Sequence, residues 1–182
     1  LQYLQNAAAV SASDGYAGGI AGQNTEKDGM IQFCNNTGDV TAVSSGYAAG
    51  IVSDNSGKIA HCSNKADVAS AGGSAGGIAA TSNTGASITY CNSEGTSKNK
   101  ITITALNDVG GIAAANSGNI DNSNVSYLKV VNNSKSRETS NVGGIAGSNE
   151  AAISDTTVSD CTIQTYPSAS NLGGVAGINN DG

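Results

Sequence analysis

The chain has 182 residues, of which 25 are glycine and one is proline, and charged residues make up only 12%. A disordered chain would carry more charge and more proline, so this composition indicates a repetitive sequence that folds as one domain. The net charge is −6 and no cluster of lysine and arginine could displace counterions, which argues against nucleic acid as a partner. No stretch is long and apolar enough for a transmembrane helix, so no direct membrane insertion is expected.

One motif recurs along the whole chain. A small apolar residue precedes a Gly-Gly or Ala-Gly pair and an Ile or Val, and an Asn usually follows four residues later. The Ile or Val positions are spaced by 31, 27, 34, 33 and 30 residues, a period typical of stacked repeats. These positions are Ile20, Ile51, Ile78, Ile112, Ile145 and Val175.

Between these motifs lie segments with a period of two. The run from Cys34 to Val40 places a small or apolar residue, or an Asn, at every second position, and the run from Cys62 to Val68 repeats the pattern. Such alternation predicts strands with this set facing inward. Because Ile59 and Cys62 are three residues apart, a bend must separate them, and the Gly pairs suit the bends elsewhere in the repeat. Each repeat is expected to supply two or three short strands.

Helices are disfavoured, since paired interior glycines cost about 1 kcal/mol each relative to alanine and no helical apolar stripe recurs. The sequence therefore predicts an all-β fold, a parallel β-helix (β-solenoid) of about six turns of roughly 30 residues. Residues 1–182 are expected to form a single solenoid segment. Because the chain begins and ends within a repeat and lacks polar caps, we expect an internal fragment that continues into further domains of a longer protein.

Two columns of stacked Asn side chains are predicted. Stacked amides can donate and accept hydrogen bonds along the solenoid axis, so we interpret both columns as structural ladders, with a polar ligand site as the alternative. The second column consists of Asn6, Asn36 and Asn64 and continues as Ser93. The first consists of Asn24, Asn55, Asn83, Asn116, Asn149 and Asn179, with a shift of one residue at Asn83.

The repeats resemble the GLUG motif, Gly-Gly-x-x-Gly-x-Asn-x-Gly-x-Ile-x-x-Cys-x-Asn-x-Gly-x-Val. The runs from Gly18 to Val40 and from Gly50 to Val68 carry it nearly throughout, whereas Ser123 and Thr156 replace the Cys in later copies. GLUG repeats occur in large bacterial surface proteins, including adhesin-like proteins and the non-catalytic parts of some IgA-specific metallopeptidases. The resemblance implies an exported β-solenoid at the bacterial cell surface, and it implies no active site.

The cysteines fall one per turn. Cys34, Cys62 and Cys91 share an inward position, and Cys161 lies outside that column. Parallel side chains in neighbouring turns point the same way, so we expect free, buried thiols, with a Cys34–Cys62 or Cys62–Cys91 disulfide as the alternative. The chain has one His and no Cys-x-x-Cys pair, so neither a metal site nor a cofactor is expected.

Aromatic residues form an outward column just before the cysteines. Stacked rings would shield the corner and contribute about 0.5 to 1.5 kcal/mol per pair. The alternative is a binding stripe for a host protein or a glycan. Tyr16 and Tyr47 are expected to form a shorter pair of the same kind. The predicted column consists of Tyr3, Phe33, His61 and Tyr90.

Catalytic signals are weak. Asp39 and Asp67 align one turn apart, as in a hydrolase, lyase or calcium site, but no third carboxylate and no Arg or Lys aligns with them, so we expect a solvated pair. The chain has no His-Glu-x-x-His motif, and the zinc chemistry of an IgA peptidase cannot reside here. The Thr-x-Thr row in Lys98–Thr104 occurs once, so an ice-binding surface is not indicated.

The longest departure from the repeat is Val125–Asn141, with Lys129, Lys135, Arg137 and Glu138, which is expected to bulge as a loop or extended strand and could carry a partner-specific surface. The sequence thus predicts a non-enzymatic stalk or adhesion module of a large bacterial cell-surface protein, located outside the cell. The alternatives are a carbohydrate-active β-helix enzyme, a polysaccharide-binding module, or a virion fibre that would need to trimerise.

Overall fold

The computed structural model describes residues 1–134, 140–166 and 170–180, which form a parallel β-solenoid. The chain winds through about six coils of around 30 residues, and each strand pairs in parallel with its counterparts in the neighbouring coils. The predicted fold class is therefore confirmed. The described residues form strands joined by turns and bends. Among them there is no helix that is long and apolar enough to cross a membrane.

A full coil contributes five strands to five parallel sheets, numbered 1 to 5 in chain order. Sheet 1 consists of β1 Gln5–Asn6, β6 Asn35–Asn36, β11 Ser63–Asn64, β16 Asn92–Glu94, β21 Asn124–Ser126 and β26 Thr157–Ser159. Sheet 2 consists of β2 Val10–Ala12, β7 Val40–Ala42, β12 Val68–Ser70, β17 Ile101–Ala105, β22 Leu128–Asn132 and β27 Thr162–Thr165. Sheet 3 consists of β3 Tyr16–Gly18, β8 Tyr47–Ala49, β13 Ala75–Gly76, β18 Val109–Gly110, β23 Ser140–Gly143 and β28 Ser170–Gly173. Sheet 4 consists of β4 Ala21–Asn24, β9 Val52–Asn55, β14 Ala79–Ser82, β19 Ala113–Asn116, β24 Ala146–Asn149 and β29 Ala176–Asn179. Sheet 5 consists of β5 Met30–Gln32, β10 Lys58–Ala60, β15 Ser87–Thr89, β20 Asn119–Asp121 and β25 Ile153–Ser154.

Five strands per coil exceed the two or three expected, because the chain also turns at corners without glycine. Between sheets 5 and 1 a single residue with a left-handed backbone turns the chain, and its φ lies between 47° and 54° in every coil. Tyr127 and Asp160 make a similar corner between sheets 1 and 2 in later coils. The corner residues between sheets 5 and 1 are Tyr3, Phe33, His61, Tyr90, Asn122 and Asp155.

The Gly pairs lie at the corner between sheets 3 and 4. Among the described glycines a positive φ occurs at Gly15 and Gly85, outside these pairs, so backbone angle is not what the pairs supply. In every pair but the last, which ends at Gly174, the second glycine lies against the next coil. A methyl group on Gly77 would overlap the carbonyl oxygen of Gly111 and the Oγ of Ser93. Close approach between coils is therefore what requires glycine at this position.

The core is built from columns that repeat one residue type from coil to coil. In sheet 5, Ile31, Ile59 and Ile88 lie in register and are buried. Ile78 and Ile112, each of which follows a Gly pair, are also buried. Because each coil packs only on its two neighbours, the stability of the solenoid is the sum of coil and interface contributions.

Candidate functional site

The outward rings form a continuous stack at the corner between sheets 5 and 1. Ring centroids lie 5.0, 4.8 and 5.0 Å apart from coil to coil, and neighbouring ring planes differ by only 5° to 6°. Tyr16 and Tyr47 form a shorter stack, with centroids 5.8 Å apart and planes inclined at 19°. The four-ring stack, which we call the aromatic column, consists of Tyr3, Phe33, His61 and Tyr90.

The backbone of this corner does not require aromatic residues. The left-handed conformation costs a residue with a bulky side chain about 1 to 2 kcal/mol, and each stacked pair returns about 0.5 to 1.5 kcal/mol. The aromatic column contains three stacked pairs and four left-handed residues, so the free energy gained by stacking does not exceed the free-energy cost of the left-handed backbone by a clear margin. In the next two coils the position holds Asn122 and Asp155, residue types that adopt this conformation more readily.

The rings differ in what they expose to solvent. Phe33 and His61 each have a ring on both sides, whereas Tyr90 stacks on His61 alone because Asn122 follows it in the next coil. Tyr90 is 53% exposed, compared with 38% for Phe33. The aromatic column therefore presents ring edges along its length and a ring face at each of its two terminal members, Tyr3, which is 73% exposed, and Tyr90.

A row of polar side chains runs along sheet 1, two residues after each corner. The Oγ of Ser63 donates to Oδ1 of Asn35 at 2.7 Å, and Nδ2 of Asn124 donates to Oδ1 of Asn92 at 3.3 Å. The row lies beside the aromatic column on the surface of the solenoid. Sequence reasoning missed it, although aligned polar residues two positions after each ring were visible.

A carboxylate lies on the other side of the same corner. Oδ1 of Asp121 accepts a hydrogen bond from Oγ of Ser154, and Oδ2 accepts one from Nδ2 of Asn122, both at 2.7 Å. These hydrogen bonds, the one from Ser154 foremost, lower the pKa of Asp121 and favour its ionised form. The side chain of Asn122 is thereby engaged with its own neighbour on the coil.

Three of the four cysteines lie in one inward column, and all four thiols are free. Cys34, Cys62 and Cys91 are buried, and each thiol donates to the carbonyl oxygen two residues earlier at 3.2 to 3.3 Å, across the left-handed corner. Cys161 lies outside this column but follows the left-handed Asp160 and makes the same contact at 3.0 Å. Burial raises the pKa of Cys91 well above its usual value, so its neutral thiol form is favoured.

The first Asn column runs along sheet 4 and contains three direct amide contacts. Nδ2 of Asn24 donates to Oδ1 of Asn55 at 2.9 Å. Nδ2 of Asn116 donates to Oδ1 of Asn149, and Nδ2 of Asn149 donates to Oδ1 of Asn179, both at 2.7 Å. The column is therefore a hydrogen-bonded ladder on both sides of a gap in the third coil.

The predicted place of Asn83 in this column is wrong. Ser82 pairs with Asn55 on one side and with Asn116 on the other, whereas Asn83 is exposed. Ser82 lies four residues after Ile78, the spacing that separates each other Asn of the column from its own Ile or Val. Because side chains alternate along a strand, a buried residue 82 places residue 83 outside.

The gap leaves polar atoms without partners. Among the described residues, Oγ of Ser82 and Oδ1 of Asn116 are buried and have no hydrogen-bond partner. Oδ1 of Asn116 is the atom that an Asn in the preceding coil would reach, given the donor direction in the rest of the ladder. Gly118 lies beside Ser82 as Gly57 lies beside Asn24, so the absence of a side chain at Gly118 leaves space for an Asn at position 82.

We therefore expect Ser82→Asn to stabilise the protein. A new amide contact to Asn116 should raise the free energy of unfolding by about 1 kcal/mol and the melting temperature by about 2 to 4 °C. Urea denaturation and thermal melting measure both quantities. Ser82→Ala is the matched control, which removes the hydroxyl without supplying a donor. An equal gain from Ser82→Asn in an Asn116→Ala background would contradict this explanation.

The second Asn column runs along sheet 1 on the inside. Nδ2 of Asn6 donates to Oδ1 of Asn36 at 2.8 Å, and Nδ2 of Asn36 donates to Oδ1 of Asn64 at 2.9 Å. Asn36 and Asn64 are fully buried, and the Oγ of Ser93, next in the column, has no partner. Buried amides that bond one another are unavailable to a ligand, so this column is structural.

Asp39 and Asp67 also bond to the backbone of neighbouring coils. Oδ1 of Asp39 accepts from the N–H of Asp67 at 3.2 Å, and Oδ1 of Asp67 accepts from the N–H of Thr102 at 2.7 Å. Each carboxylate thus joins two coils. In the described part of the chain no three His, Cys, Asp or Glu side chains are placed to hold a metal ion.

The variable stretch Val125–Asn141 stays within the solenoid where it is described. Its first half contributes to β21 and β22, and Lys129 is exposed on β22. Lys135, Arg137 and Glu138 lie outside the described residues.

Comparisons with known proteins support the fold. No protein-family model and no curated protein matches this chain, so the GLUG resemblance stays a prediction. Among solved structures, the chain is similar to a Bacteroides ovatus protein described as a "putative immunoglobulin A1 protease", with 25% sequence identity and a TM-score of 0.68. The match covers 94% of this chain and 58% of that protein. The chain therefore spans little more than half the length of its structural relative.

Proposed function

We propose that this β-solenoid is a non-enzymatic structural module of a large bacterial cell-surface protein, which holds other regions of that protein away from the cell. The observation that carries the proposal is the continuity of the five sheets, which run in register from coil to coil. Backbone hydrogen bonds between coils make such a rod stiff along its axis. The similarity to part of a larger Bacteroides ovatus protein supports a role as one region among several.

The name of that relative suggests proteolysis of immunoglobulin A1. We propose that this chain does not itself carry the catalytic site for such proteolysis. The chain has a single His and no His-Glu-x-x-His motif, so it lacks the ligands of a zinc peptidase site. A carbohydrate-active enzyme would depend on Asp39 and Asp67, whose carboxylates bond backbone N–H groups of neighbouring coils. Cleavage of a polysaccharide by the chain, lost on Asp39→Asn, would overturn the proposal.

A spacer must tolerate a change of length, which a deletion of one coil tests. Lys58 and Ser87 occupy equivalent positions in neighbouring coils, so removal of residues 58–86 joins Gly57 to Ser87 in register. We expect a cooperatively folded solenoid about 4.8 Å shorter, measured by small-angle scattering and thermal melting. The deletion also places Asn55 beside Asn116, which closes the gap in the first Asn ladder.

The control removes only part of a coil. Deletion of residues 58–70 removes β10, β11 and β12 and leaves β13 and β14 without a complete turn, so this variant should not fold. Equal melting temperatures for the two deletions, or loss of folding on removal of the whole coil, would contradict a modular spacer.

A further inference from the structure

The aromatic column ends where the corner residue changes from an aromatic residue to an asparagine. Rings occupy the corner up to Tyr90, and Asn122 occupies the same corner one coil later. The Nδ2 of Asn122 donates to Asp121 on its own coil at 2.7 Å, so this side chain is fixed beside the column. The face of Tyr90, which is 53% exposed, therefore borders the position where a fifth ring would stack.

Polar groups of two kinds surround that position. The amides of Asn92 and Asn124 lie on sheet 1, two residues after the corner, and are 3.3 Å apart between Nδ2 and Oδ1. The carboxylate of Asp121 lies on sheet 5, one residue before the corner. The exposed ring face of Tyr90 thus has hydrogen-bond donors and acceptors on both sides.

We propose that Tyr90, with Asp121, Asn122 and Asn124 around it, binds a neutral hexose residue of a glycan. A pyranose ring would stack on Tyr90 as the fifth member of the column, with its C–H groups on the aromatic face. Its hydroxyl groups would hydrogen-bond the amides and the carboxylate. The proposal rests on the cell-surface role above only for the source of the glycan.

The chemistry of the site favours a sugar over other partners. Amides and a carboxylate flank the ring, a set that suits hydroxyl groups and disfavours phosphate or sulfate. Lys65, a cation of the neighbouring surface, pairs with Glu94 at 3.1 Å. A protein partner would need an apolar surface approaching a total of about 1,000 Å², whereas one ring face is a small contact of the size of one sugar.

The test is a titration of the chain with cellotriose, maltotriose, mannotriose and lactose, followed by NMR of the Tyr90 ring protons. At least one of these sugars should give a saturable shift. Tyr90→Ala should weaken its binding by about tenfold or more, since the stacking face is lost. Asn122→Tyr should weaken binding similarly, because a tyrosine at this corner extends the stack and fills the fifth position.

Tyr16→Ala is the matched control, since it removes an exposed stacked ring from another corner and should change affinity by less than about twofold. Thermal melting of each variant separates loss of binding from loss of folding. The absence of a saturable shift with all four sugars overturns the site, as does unchanged binding by folded Asn122→Tyr. Neither result affects the outcome of the coil deletion, so the two proposals fail independently.

Discussion

Gly77→Ala is expected to destabilise the protein by about 3 kcal/mol or more. The added methyl group would overlap the carbonyl oxygen of Gly111 and Oγ of Ser93. The carbonyl oxygen cannot move aside freely, since the neighbouring peptide groups of these two coils are joined by hydrogen bonds such as that from the N–H of Gly77 to the oxygen of Gly110 at 3.2 Å. Relief of the overlap would separate the coils and cost further contacts. Urea denaturation measures the loss.

Gly22→Ala provides the matched control for this substitution. A methyl group on Gly22 would meet the carbonyl oxygen of Tyr16 at 3.2 Å, and the equivalent positions in later coils hold Ala80 and Ala114. We expect this variant to stay within about 0.5 kcal/mol of the wild-type stability. If Gly77→Ala were equally well tolerated, close packing of the coils would not explain the second glycine of the pair.

Asn36→Ala is expected to lower the free energy of unfolding by about 2 to 3 kcal/mol. Asn36 accepts from Asn6 and donates to Oδ1 of Asn64 at 2.9 Å and to the carbonyl oxygen of Gly38 at 2.8 Å. The substitution removes the donor to Oδ1 of Asn64 and to the carbonyl oxygen of Gly38. Asn64 is fully buried, so water cannot replace the lost hydrogen bond there. Chemical denaturation with an unchanged m-value would attribute the loss to the native state.

Ser93→Val tests the same column with the opposite sign. The Oγ of Ser93 is buried without a hydrogen bond, and Val125 occupies this position one coil later in the same register. Removal of the unpaired hydroxyl is expected to stabilise the protein by up to about 1 kcal/mol. A loss of stability in Ser93→Val together with a neutral Asn36→Ala would show that the amide contacts do not hold this column.

The sequence predicts the solenoid because the same requirement recurs in every coil. Only glycine fits where two coils approach most closely, and the chain repeats it, whereas the first residue of the pair can be alanine, as Ala49 shows. The five-strand coil was not predicted, because the corner between sheets 5 and 1 is formed by residues such as Phe33 and Tyr90, whose types are rare in a left-handed conformation. A ring followed by Cys, as at Phe33, His61 and Tyr90, was the only local signal.

The candidate site was predictable in part. Alternation along the strand identifies the aromatic column as outward, and the spacing of one ring per repeat places its members in register. The predicted place of Asn83 was wrong because the alignment followed the Asn residue type. The distance of four residues from Ile78 instead identifies Ser82 as the buried member of the column. The open face of Tyr90 depends on where the side chain of Asn122 lies, and that contact is set by geometry that the repeat does not encode.

The donor direction in the Asn ladders gives the solenoid a chemical polarity. In every direct amide contact of both columns the N–H₂ group belongs to the preceding coil and the accepting oxygen to the following one, as between Asn36 and Asn64 or between Asn116 and Asn149. A coil already in place therefore presents a fixed donor, and the next coil completes it by arriving with an oxygen. The ladders therefore favour stacking of the coils in one direction along the axis, because an inverted coil would bring amide donor to amide donor.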